Sequence, residues 1–407
     1  MFDPLIPARG IHMAATVLAA GTVAFIALVA DLPALHRQLT LLVWTTLAVA
    51  ILSGLAWLVW LSADIYGAPI IEVCLHGDVW SVLTDTRFGL VWTARLGLAI
   101  LLGVLMLWPA ARLLQLAAAT CLLGLIALIG HAGATPGTAG QIHLASDIVH
   151  LLAAGAWVGA LPALAMLLAR AHHAGNPDWG GHAVAAARRF SLLGMISVSA
   201  LLASGIVNSW NLLGGPRDLV TTDYGRLVLL KIGLFVAMVG IAATNRFHFT
   251  PQLPAAGALK ALRRNSLTEA GLGLCALLFV GALGTLSPSG HAHGISTPVP
   301  AGAAFVHIHT NEAMVEVTLT PGRAGPANAA IRVLREDFSE FPAKDVQLTL
   351  EAPAGDKIAR NAAHLPDGTW QVNAIDLAKA GICTVRVTIA PQAGRPIVLD
   401  APIAIEP

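Results

Sequence analysis

The sequence predicts an all-α polytopic membrane bundle of about eight transmembrane helices, followed by a small all-β immunoglobulin-like sandwich. Three observations lead there. The chain of 407 residues is 56% hydrophobic and only 12% charged, where a soluble protein averages roughly 25% charged. The shortage is uneven: residues 1–290 carry 26 charged side chains, about one in eleven, and residues 291–407 carry 21, about one in six. The spacing of apolar residues also changes along the chain, from helical to alternating, after residue 302.

A helix needs about 20 mostly apolar residues to cross a bilayer. Eight such runs are present, at 11–30, 39–62, 88–108, 112–131, 143–169, 189–212, 224–245 and 266–286. The first is too long for the core of a signal peptide and follows MFDPLIPARG, so it reads as an anchor. Lys and Arg in the short connections set the orientation. Alternate connections hold Arg37; Arg112; Arg170, Arg188 and Arg189; and Arg246, Lys260, Arg263 and Arg264. The other set holds Arg9, Arg87, Arg217 and Arg226, with Glu72, Asp78 and Asp85 among them. The richer set is expected in the cytoplasm, which places both termini and the C-terminal domain on the periplasmic side of a bacterial inner membrane. His172, His173 and His182 then fall in a solvated cytoplasmic loop, 171–187.

Residues 1–287 form the expected bundle, 288–302 (PSGHAHGISTPVPAG) a Gly/Pro/His linker, and 303–407 the sandwich. FVHIHT, AMVEVTLT, AAIRVLRE, VQLTLEA, TWQVNAI, CTVRVTIA and PIVLDAPIAI each alternate apolar with polar residues and predict about seven strands. Trp370 is expected in their core. Cys74, Cys121, Cys275 and Cys383 form no C-x-x-C, which argues against a disulfide framework or a zinc ribbon.

An ionisable group inside a membrane helix is costly and therefore a candidate for function. In IHLASDIVHLLAAGAW, His143, Asp147 and His150 stand at i, i+4 and i+7 on one helix face. The two histidines are roughly 10 Å apart along the axis, too far for one ion with bonds near 2 Å. Two stops along a path, or one site with a carboxylate behind a histidine, fit that spacing. His12 at the start of the first span and His131 at the end of the fourth are expected to converge with them near the outer third of the bundle. Imidazole with carboxylate suits Cu(II), Zn, Ni or Fe. Arg95 and Lys231 are expected to snorkel outward or to pair with Asp147. Glu269 reads as an exit-side group or as a cap of the eighth helix. His291-Ala-His293 in the linker and His307-Ile-His309 on the first strand are weaker metal candidates, since i and i+2 on a strand share a face.

The net charge of +1 argues against a nucleic-acid partner. The chain has no P-loop and no nucleotide fingerprint, and no nucleophile constellation that would make it an enzyme.

Several stretches resemble the CopD/PcoD copper-resistance family. They are DTRFGLVWTAR, GHA at 130–132, DIVHLLAAGAWVGALPAL, TTDYGRLVLLKIGLFVAMVGIAATNRF and NSLTEAGLGL, spread through residues 11–287. LPDGTWQVNAIDLAKAGICTVRVTI is similar to the YtkA-like or CopC-like sandwiches fused to such proteins. The resemblance implies an eight-helix inner-membrane bundle that moves copper ion, usually inward, beside periplasmic copper-binding proteins of the CopC type. It carries the family's ligands onto His12, His131, Asp147 and His150. CopC itself binds copper through an amino-terminal histidine, a mode an internal domain lacks; His307, His309 and the linker histidines are the candidate substitutes here. Two other readings compete: a haem protein with iron between His131 and His150 or His12, and a copper-binding module that senses and does not transport.

Overall fold

The computed structural model describes residues 3–66, 68–129, 137–175, 177–213, 215–284, 286, 299–300, 302–310, 313–335, 340–351, 357–377, 379–392 and 395–406. The chain divides into two compact units, Met1–His293 and Gly294–Pro407.

Small residues decide which helix of the first unit lies at the centre. Helix α1 (Leu5–Ala24) reads LIPARGIHMAATVLAAGTVA and continues through a π-helical turn, Phe25–Val29. Alanine, glycine and threonine keep its surface thin enough for neighbouring backbones to approach closely. It packs on α2 (Pro33–Tyr66), α6 (Arg112–Gly124) and α12 (Ala256–Leu283). Two spans are 67% buried, Leu5–Val29 and Gly140–Ala174, against 6% for Asp223–Gln252, so the first two are central and the last is peripheral. The central spans meet where Gly21 lies on a second π-helical turn, Gly155–Gly159; a Cβ on Gly159 would overlap the Val17 carbonyl oxygen.

Among the described residues, eight helical segments are long and apolar enough to cross a membrane: Leu5–Val29, Pro33–Tyr66, Phe88–Leu105, Pro109–Leu128, Gly140–Ala174, Pro177–Leu212, Asp223–Gln252 and Ala256–Leu283. These match the eight predicted runs in number and order. The difference is at their ends. Helix α8 (Leu161–Ala174) and helix α9 (Pro177–Leu212) run into the expected 171–187 loop, so His172, His173 and His182 lie on helices. Extending a formed helix costs little once it is nucleated, and a hydropathy window does not register its polar turns.

Two short helices that the apolar pattern does not show, α3 (Ile70–His76) and α4 (Asp78–Asp85), meet at Gly77, which has φ of 82°. Helix α4 leads into α5 (Arg87–Leu105) through Thr86, whose Oγ1 donates to the Val82 carbonyl and accepts from the Gly89 amide at 3.0 Å. The device recurs. After the one-turn helix α10 (Asp218–Thr221), Thr222 Oγ1 accepts from the Gly225 amide at 3.0 Å and opens α11 (Asp223–Thr244). The remaining helix, α7 (Gly137–Ala154), carries the candidate face between α6 and α9. Replacing an N-cap threonine with alanine costs about 1 kcal/mol. Thr86→Ala and Thr222→Ala should each lower the thermal midpoint of the purified protein slightly, and the double variant by the sum; a midpoint unmoved in all three would show that these caps contribute nothing.

The second unit has two antiparallel sheets, ordered β1-β2-β3-β7-β6 and β5-β4-β8-β9. The strands are β1 (Ala304–His309), β2 (Met314–Thr320), β3 (Gly325–Leu334), β4 (Ala343–Glu351), β5 (Lys357–Asn361), β6 (Ala363–His364), β7 (Trp370–Leu377), β8 (Gly381–Pro391) and β9 (Ile397–Ile405). Val315, Val317, Ile331, Val346, Val385, Val387 and Trp370 fill the core between the sheets. The seven predicted strands are present together with β5 and β6. Strand β5 (KIARN) is almost wholly exposed and β6 has two residues, so neither carries an alternating signal. All four cysteines are free.

Candidate functional site: histidines held inside the bundle

The polar side chains of the bundle fall into separate stations. At the first, His12 is 7% exposed, two turns inside α1, because that helix begins at Leu5. The expected position at a helix start is corrected accordingly: it is enclosed by α2 and α5. Its Nδ1 lies 2.7 Å from the Ala50 carbonyl oxygen on α2. A carbonyl only accepts, so Nδ1 carries the proton and Nε2 of the neutral ring keeps its lone pair. Nε2 is buried without a hydrogen-bond partner, and Trp57 stands edge-on with its ring centroid 5.7 Å away.

The second station is on α7 and α9. His143 is 3% exposed, again two turns into its helix. Asp147 Oδ1 accepts from Asn208 Nδ2 at 3.2 Å. His150 Nδ1 lies 2.9 Å from Ser204 Oγ. The serine hydroxyl has one proton, and it donates that to the Ala200 carbonyl at 2.6 Å. Ser204 Oγ therefore accepts from His150, and Nε2 of His150 is again left as the free donor atom for a ligand. Ser146 Oγ adds a bond to the Ser204 carbonyl at 3.1 Å, tying the two helices together beside the ring. Lys231 on α11 acts electrostatically on both Asp147 and His150.

A third group surrounds Glu269, which is 1% exposed. Asn245 Nδ2 donates to its Oε1 at 2.6 Å, Asn265 Nδ2 donates to Asn245 Oδ1 at 2.8 Å, and Trp157 also bonds the carboxyl. Glu269 lies mid-way along α12, which begins at Ala256, so it does not cap a helix start. Arg95 differs from expectation too. It is 3% exposed and its Nε donates to the Leu122 carbonyl at 3.3 Å, so it points into the bundle and does not snorkel.

Among the described residues, no three His, Cys, Asp or Glu side chains are grouped to hold one metal ion. Among the described residues His12, His143, Asp147 and His150 are thus not grouped as ligands of one ion: His12 bonds α2, while Asp147 and His150 bond separate residues of α9. Among the described residues no ion pair links Asp147 to His150 or to Lys231; the polar side chains of α9 are nearer partners. His131, His291 and His293 lie outside the described residues. In the sandwich, His307 Nδ1 is 3.6 Å from Glu316 Oε1, its partner across the β1–β2 register; the side chain of His309 lies outside the description. Sequence reasoning missed Ser204 and Asn208. Their signal was a polar pair at i, i+4 on one face of the helix.

Comparison with known proteins now settles the family. Residues 1–141 match the copper resistance protein D-like N-terminal domain, and residues 184–283 match copper resistance protein D. Copper resistance protein D of Pseudomonas syringae pv. tomato is 31% identical over 240 residues, which cover 54% of this chain and 74% of that protein. The chain belongs to the copper resistance protein D family. The chain is also similar to inner membrane protein YebZ of Escherichia coli (strain K12), 33% identical over 180 residues, covering 43% of this chain and 60% of YebZ. Copper transport protein CutJ of Bacillus subtilis (strain 168) is 27% identical over 283 residues, covering 67% of this chain and 48% of CutJ. The chain thus spans 60% of the length of YebZ and about half that of CutJ. No solved structure matches this member of the copper resistance protein D family.

Proposed function

We propose that this chain carries copper ion through the membrane, from the periplasmic side to the cytoplasm. The observation that supports this most is the shared pose of His12 and His150. Each ring has its Nδ1 occupied by an oxygen acceptor and its Nε2 left for a ligand, the arrangement in which metal-binding histidines are held by their surroundings. Family membership and the name of CutJ point the same way.

In this reading His12, His131, His143 and His150 are successive stops, and Asp147 supplies negative charge that offsets an arriving cation's. Separation of the stops suits transport, since an ion held by one or two ligands at a time can leave as readily as it arrives. His291, His293, His307 and His309 capture the ion outside, where a CopC-type protein delivers it. Both termini and the sandwich are periplasmic. No nucleotide and no chemical reaction drives the step within this chain.

The test is copper flux into sealed vesicles bearing the purified protein, with Cu(I) and Cu(II) offered separately. Flux above that of protein-free vesicles in one valence, lowered at least about tenfold by Asp147→Ala, is expected. Flux equal to that of protein-free vesicles for both ions would overturn the reading. A Soret band in the purified protein would instead favour the haem alternative.

A further inference from the structure

Arg95 poses a problem that the copper reading does not answer. Its guanidinium is enclosed by the bundle, and Nη1 and Nη2 are buried without hydrogen-bond partners. Among the described residues no carboxylate lies within ion-pair distance of it. A buried, uncompensated charge in the membrane is costly unless a counter-charge is supplied. The guanidinium cannot shed its proton to escape that cost.

The surroundings specify what the counter-charge must be. Arg95 and His12 border one void of about 20 Å³, walled also by Thr16, Gly54, Trp92 and Leu122. The other donors on the wall are committed: Trp92 Nε1 to the Gly54 carbonyl at 3.2 Å, and Thr16 Oγ1 to the His12 carbonyl at 2.8 Å. The Arg95 N–H groups are thus the donors left over. A void of this size holds about one water-sized particle, so the occupant is monatomic or nearly so. That room favours a monatomic anion over a carboxylate, a phosphate or a lipid headgroup.

We propose that the void between Arg95 and His12 binds one small inorganic anion of chloride size, held by the Arg95 Nη groups. The consequence for transport rests on the copper reading: the anion would offset the Arg95 charge that otherwise opposes an approaching cation. The anion site itself stands without that reading.

The experiment uses the full-length protein in detergent, free of copper, dialysed into gluconate and titrated with chloride while the chlorine-35 NMR linewidth is followed. Saturable broadening, reversed by bromide but not by the larger sulfate, is expected. Arg95→Gln should abolish it. Gly54→Ala should weaken it at least tenfold with Arg95 intact, because the new Cβ would stand 3.0 Å from His12 Nδ1 and 3.2 Å from Trp92 Nε1 and fill part of the void. Elution of each variant as a single species confirms folding. No saturable broadening in the wild type would overturn the proposal. So would equal broadening in a folded Arg95→Gln variant, or displacement by sulfate as effective as by bromide. Copper flux surviving any of these failures would leave the transport reading intact.

Discussion

Gly159→Val is expected to leave little monodisperse protein, and what remains should unfold at a markedly lower temperature. Gly159 ends the π-helical turn Gly155–Gly159 at the point where α1 crosses it. A Cβ there would overlap the carbonyl oxygen of Val17, and one on Gly21 would overlap the backbone of Gly159. Val17 is fully buried, so the overlapped atoms belong to a central backbone and no flexible side chain end can yield. Overpacking typically costs about 1–3 kcal/mol and more when backbone must move. A loss of about 3 kcal/mol would shift the midpoint by roughly 5 °C for a unit of this size. Gly233→Val is the matched control, because a Cβ at Gly233 meets nothing within 4 Å. Equal midpoints for the two variants would show that the close crossing does not hold the bundle together.

His150→Ala should lower cell-associated copper to the level of cells lacking the protein, with protein abundance unchanged. Ser204→Ala makes a sharper test because it leaves the imidazole in place. Without the serine hydroxyl, Nδ1 of His150 loses its acceptor, and the ring is free to rotate and to exchange the proton between its nitrogens. Loss of such a supporting bond usually weakens metal binding about 10–100-fold. Copper affinity of the purified Ser204→Ala protein, measured against a competing chelator, should fall in that range while His150→Ala loses the station. Wild-type affinity in Ser204→Ala would mean that the serine does not prepare the ring for metal.

Much of the fold was legible in the residues, and the reasons are specific. Lipid leaves no alternative to internally bonded helices, so eight apolar runs had to become eight spans. Strands such as VQLTLEA and CTVRVTIA alternate because one face is buried between sheets, whereas KIARN is exposed on nearly every residue and left no such mark. Helix ends were less legible: His12 and His143 seemed terminal, but polar and small residues extend both helices two turns farther.

What the sequence determined by itself, then, is the change from an apolar helical part to a more charged alternating part, the number of membrane-long helices, the family, and the rarity of ionisable groups that makes each intramembrane one informative. Side-chain partnership was left to the tertiary structure. It turned Arg95 inward beside His12, gave Asp147 to Asn208 and His150 to Ser204, and enclosed Glu269 among Trp157, Asn245 and Asn265. Periodicity reports which face of a helix is apolar. It does not report which helix that face meets, and the protonation pattern of a buried histidine depends on that neighbour's oxygen.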